Sequence, residues 1–186
     1  METLRDSWFF RSYFPAKMEL AESKQTSYLF AMPGKTKRKQ NVRSECPVSI
    51  SLDVFGDRWS LLVVRDLMIR GFRTFKEFQQ SGEGIATNIL TDRLKKLQSA
   101  GILEAEPDQN DKRSVNYRLT EKGIDLAPVL LEVLLWGARH EETGAPCGLI
   151  DVMAKNRDLI LAEVRRRWKE HDPTPLQVNG QWQLPW

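Results

Sequence analysis

The chain has 186 residues, with 28 Lys and Arg against 25 Asp and Glu and a formal net charge of +3. That length suits one domain of ordinary size with extensions, and so small a cationic excess does not by itself mark a nucleic-acid binder, so local charge placement must carry that argument. Two cysteines, Cys46 and Cys147, exclude a disulfide scaffold, and no stretch approaches the roughly 20 apolar residues of a membrane span.

Residues 1–31 are rich in aromatics (Trp8, Phe9, Phe10, Tyr13, Phe14, Tyr28, Phe30), yet Arg11, Lys17, Glu19, Glu22 and Lys24 interrupt every apolar run that a secretion signal would need. Two readings stand for this segment: Met32 is the real start, or the segment is a short amphipathic extension packed on a dimer. Lys35, Lys37, Arg38, Lys39 and Arg43 follow, so residues 1–43 are expected to be a partly disordered extension, basic at 35–43. A solvated tail is preferred over an arm that reaches DNA; on DNA such a run would meet phosphate. The expected location is cytoplasmic, without a membrane partner.

From Pro47 the pattern becomes helical. Pro47 suits a first helical position, and Val48, Leu52 and Phe55 recur at helical intervals up to Gly56. A second helix begins near Asp57, whose carboxylate can cap free amides, and runs through Trp59, Leu62, Val63 and Leu67 to Gly71. Thr74 and Glu77 have the spacing of a capping box, opening a short helix over 74–80 with Phe75 and Phe78 turned inward. Ser81, Gly82, Glu83 and Gly84 form a turn that tolerates unusual backbone angles; a helix over 87–100 follows, with Leu90, Leu94 and Leu97 on one stripe. Strand-like segments at 102–106 and 115–119 are joined by a charged tip over 107–114.

Helix, glycine turn, helix and two-stranded wing, in that order, predict a winged helix-turn-helix, so the expected fold is mainly α with a small β-wing. Taken alone, the helix over 87–100 is an ordinary amphipathic surface helix; its place between turn and wing gives its polar face a meaning. The amino-terminal part of the second helix in such a motif enters the major groove, which makes Thr87, Asn88 and Thr91 candidates for base edges and Arg93 and Lys95 candidates for phosphates. Asp92 would face DNA unfavourably unless it pairs with Lys95 or Lys96. On the wing, Lys112 and Arg113 are candidates for the minor groove or a phosphate, with Asp111 orienting one of them; an ordinary charged hairpin is the alternative.

After Thr120 a long helix is expected, kinked at Pro128, with Leu126, Val129, Leu130, Val133, Leu134 and Gly137 at intervals of three and four. So wide an apolar stripe exceeds what a small winged domain covers, and together with Leu52 it is read as a homodimer interface, an intramolecular core helix being the alternative. Residues 141–146 read as a linker. Another amphipathic helix over about 148–168 ends in Arg165, Arg166 and Arg167, which suit a helix carboxyl end better than a DNA site, and the tail from His171 reads as irregular. The organisation is therefore an extension (1–43), a winged domain (44–141) and a carboxyl-terminal helix with tail (142–186). His140, His171 and the two cysteines fit no zinc spacing, and no phosphate loop, nucleophile elbow or catalytic carboxylate pair occurs, so neither a metal, a cofactor nor an enzymatic activity is expected.

The pair Cys46 and Pro47, then Gly56, Asp57, Arg58 and Trp59, then Asn88 to Leu94 with Leu97 and Gly101, and finally Tyr117, Leu119, Thr120 and Gly123 carry a resemblance to a known family. Over residues 44–140 the chain resembles the HxlR-type bacterial winged helix-turn-helix regulators, while its wing over 108–114 is similar to the related MarR-type proteins. The resemblance implies a dimer in which the first and last helices of the domain pair, one winged motif per half-site of an inverted repeat, and action as a repressor or activator. The family's recognition helix usually opens Ser-Pro-Asn; here Ala86, Thr87 and Asn88 stand there, so the usual cap is missing and Thr87 is expected to take its place. Both extensions lack a counterpart in the family's core. Cys46 matches a cysteine that some relatives use to sense oxidants, where helix-start amides and Arg43 would favour the thiolate; a semi-buried packing cysteine is the alternative. The expectation is a sequence-specific transcriptional regulator that binds an operator on double-stranded DNA as a homodimer, under thiol or small-molecule control. A winged-helix protein-interaction module without specific DNA binding is the competing reading.

Overall fold

The computed structural model describes residues 44–108, 114–178 and 182–183. The basic run at 35–43 and the wing tip with Asp111, Lys112 and Arg113 lie outside the described residues. Helix α1 (Pro47–Phe55) has Pro47 in its first turn and ends where the Gly56 amide donates to the Leu52 carbonyl at 2.8 Å. Helix α2 (Ser60–Arg65) continues into a π-helical turn, Asp66–Arg70, where the Asp66 carbonyl accepts from both Gly71 and Phe72. The single helix expected here is therefore an α-helix with a wider last turn, closed by Gly71 at φ 75°.

The capping box forms as its spacing predicts: Thr74 accepts from the Glu77 amide and the Glu77 carboxylate accepts from the Thr74 amide at 2.7 Å, opening α3 (Phe75–Gln79). Phe78 is buried and meets Phe72 and Tyr117 edge-on, while Phe75 is half-buried. Gly82 and Gly84 both take positive φ in the turn before α4 (Thr87–Ser99), whose Leu90, Leu94 and Leu97 are buried. Strands β1 (Leu103–Pro107) and β2 (Val115–Leu119) pair antiparallel, Leu103 opposite Leu119 and Pro107 opposite Val115. The wing is rooted in the motif, because Tyr117 donates to the Arg73 carbonyl at 2.7 Å and Thr74 bridges Asn116.

Helix α5 (Glu121–Ile124) starts where Thr120 accepts from the Gly123 amide and donates to the Gly101 carbonyl. A Cβ on Gly123 would stand 2.0 Å from the Ile102 carbonyl oxygen, so a capping threonine and a glycine three residues on are what this corner requires. The expected kink at Pro128 is instead a break: Pro128 lies in the first turn of a new helix, α6 (Ala127–His140), where a missing amide costs nothing.

The carboxyl-terminal region departs most from expectation. One helix was expected over about 148–168, but two form, α7 (Cys147–Lys155) and α8 (Arg157–Glu170), divided at Asn156. The Asn156 side chain donates to the Val152 carbonyl at 2.8 Å while its own carbonyl accepts from Ile160, ending one helix and starting the next. Cys147 is the first residue of α7. Leu149, Met153, Ile160 and Val164 join Leu131, Leu135 and Met68 in one core. The tail is not irregular throughout: Leu176 is buried and donates to the Ile69 carbonyl at 2.7 Å, and β3 (Gln177–Val178) pairs with β4 (Trp182–Gln183).

Candidate nucleic-acid interface

The polar face of α4 is open to solvent. Thr87, Asn88, Thr91, Lys95 and Ser99 are exposed, and the side chains of Asn88 and Lys95 have no hydrogen-bond or ion-pair partner among the described residues. Thr91 donates to the Thr87 carbonyl at 2.8 Å, leaving its lone pairs outward. Thr87 does not replace the missing cap, since Ala86 holds the N-cap position and no side chain caps the helix. Its first-turn amides therefore lack a side-chain acceptor, the arrangement in which a helix start receives a phosphate.

Arg93 lies elsewhere than expected. Its guanidinium bonds Asp57 at 2.9 Å and Asp92 at 2.6 Å, so it fastens α4 to the start of α2 and is already committed to two carboxylates. Asp92 accordingly pairs with Arg93, not with Lys95 or Lys96. Lys96 joins the same knot at 3.2 Å from Asp57, a role that helical periodicity did not assign it. Asp57 also accepts from the amides of Trp59 and Ser60, both at 3.0 Å, and from the Ser60 hydroxyl at 2.7 Å. Burial alone would raise its carboxyl, but the bonds from Ser60, Arg93 and Lys96 outweigh that and hold it well below the usual carboxylate range.

A second ion cluster holds the turn. Arg65, almost fully buried, bonds Asp66 through Nε and Nη2 and reaches Glu83 through Nη1 at 2.7 Å. Burial raises the Asp66 carboxyl in spite of the pull of Arg65 and Arg70. An arginine inside the apolar periodicity of α2 with a glutamate in the turn between α3 and α4 was the one available sign of this pairing.

The candidate interface leucines and valines divide into two sets. Leu126 and Leu130 are buried in the chain's own core, Leu130 beside Met153, Ile160 and Val164, which corrects their expected place on the outer surface. Leu134 is half-buried, whereas Leu52 (53% exposed), Val129 and Val133 (51%) face outward. Val48 at 67% and Trp136 at 58% extend the same kind of apolar surface, and α1 buries no residue at all. Cys46 is exposed at the N-cap position of α1. Among the described residues no group of three His, Cys, Asp or Glu could hold a metal ion, and no helix is long and apolar enough to cross a membrane.

A family model described as HxlR-like helix-turn-helix matches residues 54–145. The uncharacterised HTH-type transcriptional regulator YybR of Bacillus subtilis is 33% identical over 107 residues, spanning 56% of this chain and 85% of that protein. YodB of the same organism, another HTH-type transcriptional regulator, is 33% identical over 100 residues, or 53% of this chain and 88% of its own. A crystal structure of PA1607, described as a transcription factor, superposes with a TM-score of 0.51 at 41% identity, over 55% of this chain and 70% of that one. With its helices α3 and α4 and the paired strands β1 and β2 in winged helix-turn-helix order, the chain belongs to the HxlR-like helix-turn-helix family and is a transcriptional regulator of that type.

Proposed function

We propose that this regulator binds an operator on double-stranded DNA as a homodimer, each copy laying the amino-terminal half of α4 in a major groove. The reading rests above all on the exposed face of α4, where Asn88 and Lys95 are uncommitted while the opposite face is fixed by three buried leucines and the Asp57 knot. Asn88 and Thr91 present donors and acceptors to base edges; Lys95 and the uncapped amides take phosphates. The dimer is supported by the outward apolar residues of α1 and α6, which one copy leaves uncovered. Lys112 and Arg113 would add wing contacts to the minor groove or backbone.

Fluorescence anisotropy with DNA flanking the regulator's own gene, at two salt concentrations, tests this. A palindromic fragment should bind far more tightly than scrambled DNA. Lys95→Ala should weaken all fragments alike and reduce the salt slope by about 1 per chain, whereas Asn88→Ala should cost about 1–3 kcal/mol on the preferred fragment alone. If no fragment is preferred at either salt, a winged-helix protein-interaction module replaces this reading. Control by a thiol is supported by the exposure of Cys46 at the head of α1, a helix of the proposed interface. Mild oxidant should then release the operator from the wild type and leave Cys46→Ser bound; equal release from both would end that part of the proposal.

A further inference from the structure

Between α6, the segment 143–150 and the turn of the helix-turn-helix lies a cavity of about 410 Å³. Its volume falls in the range of sites for small molecules, ~300–1,000 Å³. Gly137 and Ala138 leave it open on the α6 side, and a Cβ on Gly137 would touch nothing within 4 Å. Leu134, Ala145 and Ile150 add apolar walls, Ile150 lying beyond the stretch matched by the family. One end alone is charged, and there Arg65 and Glu83 meet.

The two charged residues are not equally held. Arg65 is 9% exposed at its side chain and is pinned by two bonds to Asp66, so it cannot leave. Glu83 is more exposed and stands between Gly82 and Gly84, both at positive φ, held by its bond to Arg65 Nη1 and by the nearby charge of Arg70. A cationic ligand would have to displace a buried guanidinium. An anionic one needs only to displace Glu83 toward water and take Nη1 in its place, keeping Arg65 paired and avoiding the cost of a buried lone charge. The apolar walls require the rest of such a ligand to be ring-like or hydrocarbon.

We propose that this cavity binds a small aromatic carboxylate, its ring against Gly137 and Ala138 and its carboxylate on Arg65 in place of Glu83, and that loss of the Arg65–Glu83 tie loosens the turn that sets α4. The second half rests on α4 being the DNA-reading helix. Occupancy would then be coupled to operator affinity through one exchanged ion pair.

Calorimetric titration of the full chain with 2-naphthoate and with its uncharged counterpart 2-naphthamide tests the site. One naphthoate should bind per chain, with the amide about ten-fold weaker for want of a charge-assisted bond. Gly137→Leu, which fills the cavity at a helical position with open space, should abolish binding while the thermal melt stays cooperative and undiminished. Glu83→Gln should bind naphthoate about three-fold more tightly, because the competing carboxylate is gone. Equal binding of acid and amide, wild-type binding by Gly137→Leu, or weaker binding by Glu83→Gln would each overturn the site. For the coupling, naphthoate should shift operator affinity about five-fold in the wild type and not in Gly137→Leu; an unchanged affinity overturns it. Should no DNA be selected even without naphthoate, the operator reading and the coupling fall together, while the calorimetry still decides the site.

Discussion

Asp57 joins the start of α2 to the middle of α4 through bonds to Trp59, Ser60, Arg93 and Lys96. Its replacement by alanine should lower stability by about 2 kcal/mol, roughly 1 from the lost cap and the remainder from partly exposed ion pairs, as read from urea unfolding at neutral pH. The folded-state carboxyl is depressed, so this contribution is complete above its unfolded value near ~4 and is lost as pH falls through the lower folded value. Glu77 in the capping box is depressed too, burial being outweighed by bonds from Arg73 and Thr74, and acts with the same sign. Asp66, raised by burial, acts with the opposite sign and blunts the acid limb. The difference between wild type and Asp57→Ala should accordingly narrow below pH ~4; a difference that stays constant to pH 2 would refute the assignment. Gly71 has φ 75°, and a Cβ there would stand 2.0 Å from the Pro173 carbonyl oxygen, so Gly71→Ala should cost about 2–4 kcal/mol in the same measurement. The cap at Asp57 was legible in the sequence because capping is local. Its bond to Arg93 was not, since helical periodicity does not tell which of several cations on a polar face finds a partner far away in the chain.

Among the elements, α3, α4 and the wing were legible from a capping box, two glycines and a period that changes from 3.6 to 2. Helix breaks were less so. Pro128 offered either a kink in one helix or the first turn of another, and the choice turned on Thr120 and Gly123 closing α5 against Ile102. Asn156 carried no stronger mark than any mid-helix asparagine. The largest gap concerns α8 and the tail, which the sequence composition made look peripheral. Trp168 donates to the Leu119 carbonyl at 2.7 Å and Arg118 lies 5.6 Å over its ring, so the end of α8 braces the base of the wing. Trp168→Ala should lower the unfolding free energy by about 3 kcal/mol and loosen β2, seen as faster amide exchange at its residues. Unchanged exchange there would mean that the brace is packing alone.

At the scale of the molecule, a stripe with intervals of three and four told that α6 carries apolar surface on a broad face, but not which residues meet their own chain and which stay exposed for the proposed dimer. Leu126 and Leu130 are taken by the chain's own core; Val129, Val133 and Trp136 are left outside. Changing an exposed valine adds no cavity, so Val133→Glu should leave the unfolding free energy of one chain within about 0.5 kcal/mol while light scattering reports half the wild-type mass. A variant that remains a dimer would move the interface to another surface. Operator binding should weaken in the same variant, since two half-sites then bind independently.

Leu131 and Leu135 share their core with Leu149, Met153, Val164 and Leu176, which lie at the far end of the chain. Synthesis runs from the amino end, so the winged motif leaves the ribosome with this side bare. At ~5–20 residues per second, the roughly 40 residues between Leu135 and Leu176 take about 2–8 s to follow. For that interval the nascent chain carries a half-built core, which closes only once Leu176 has been made.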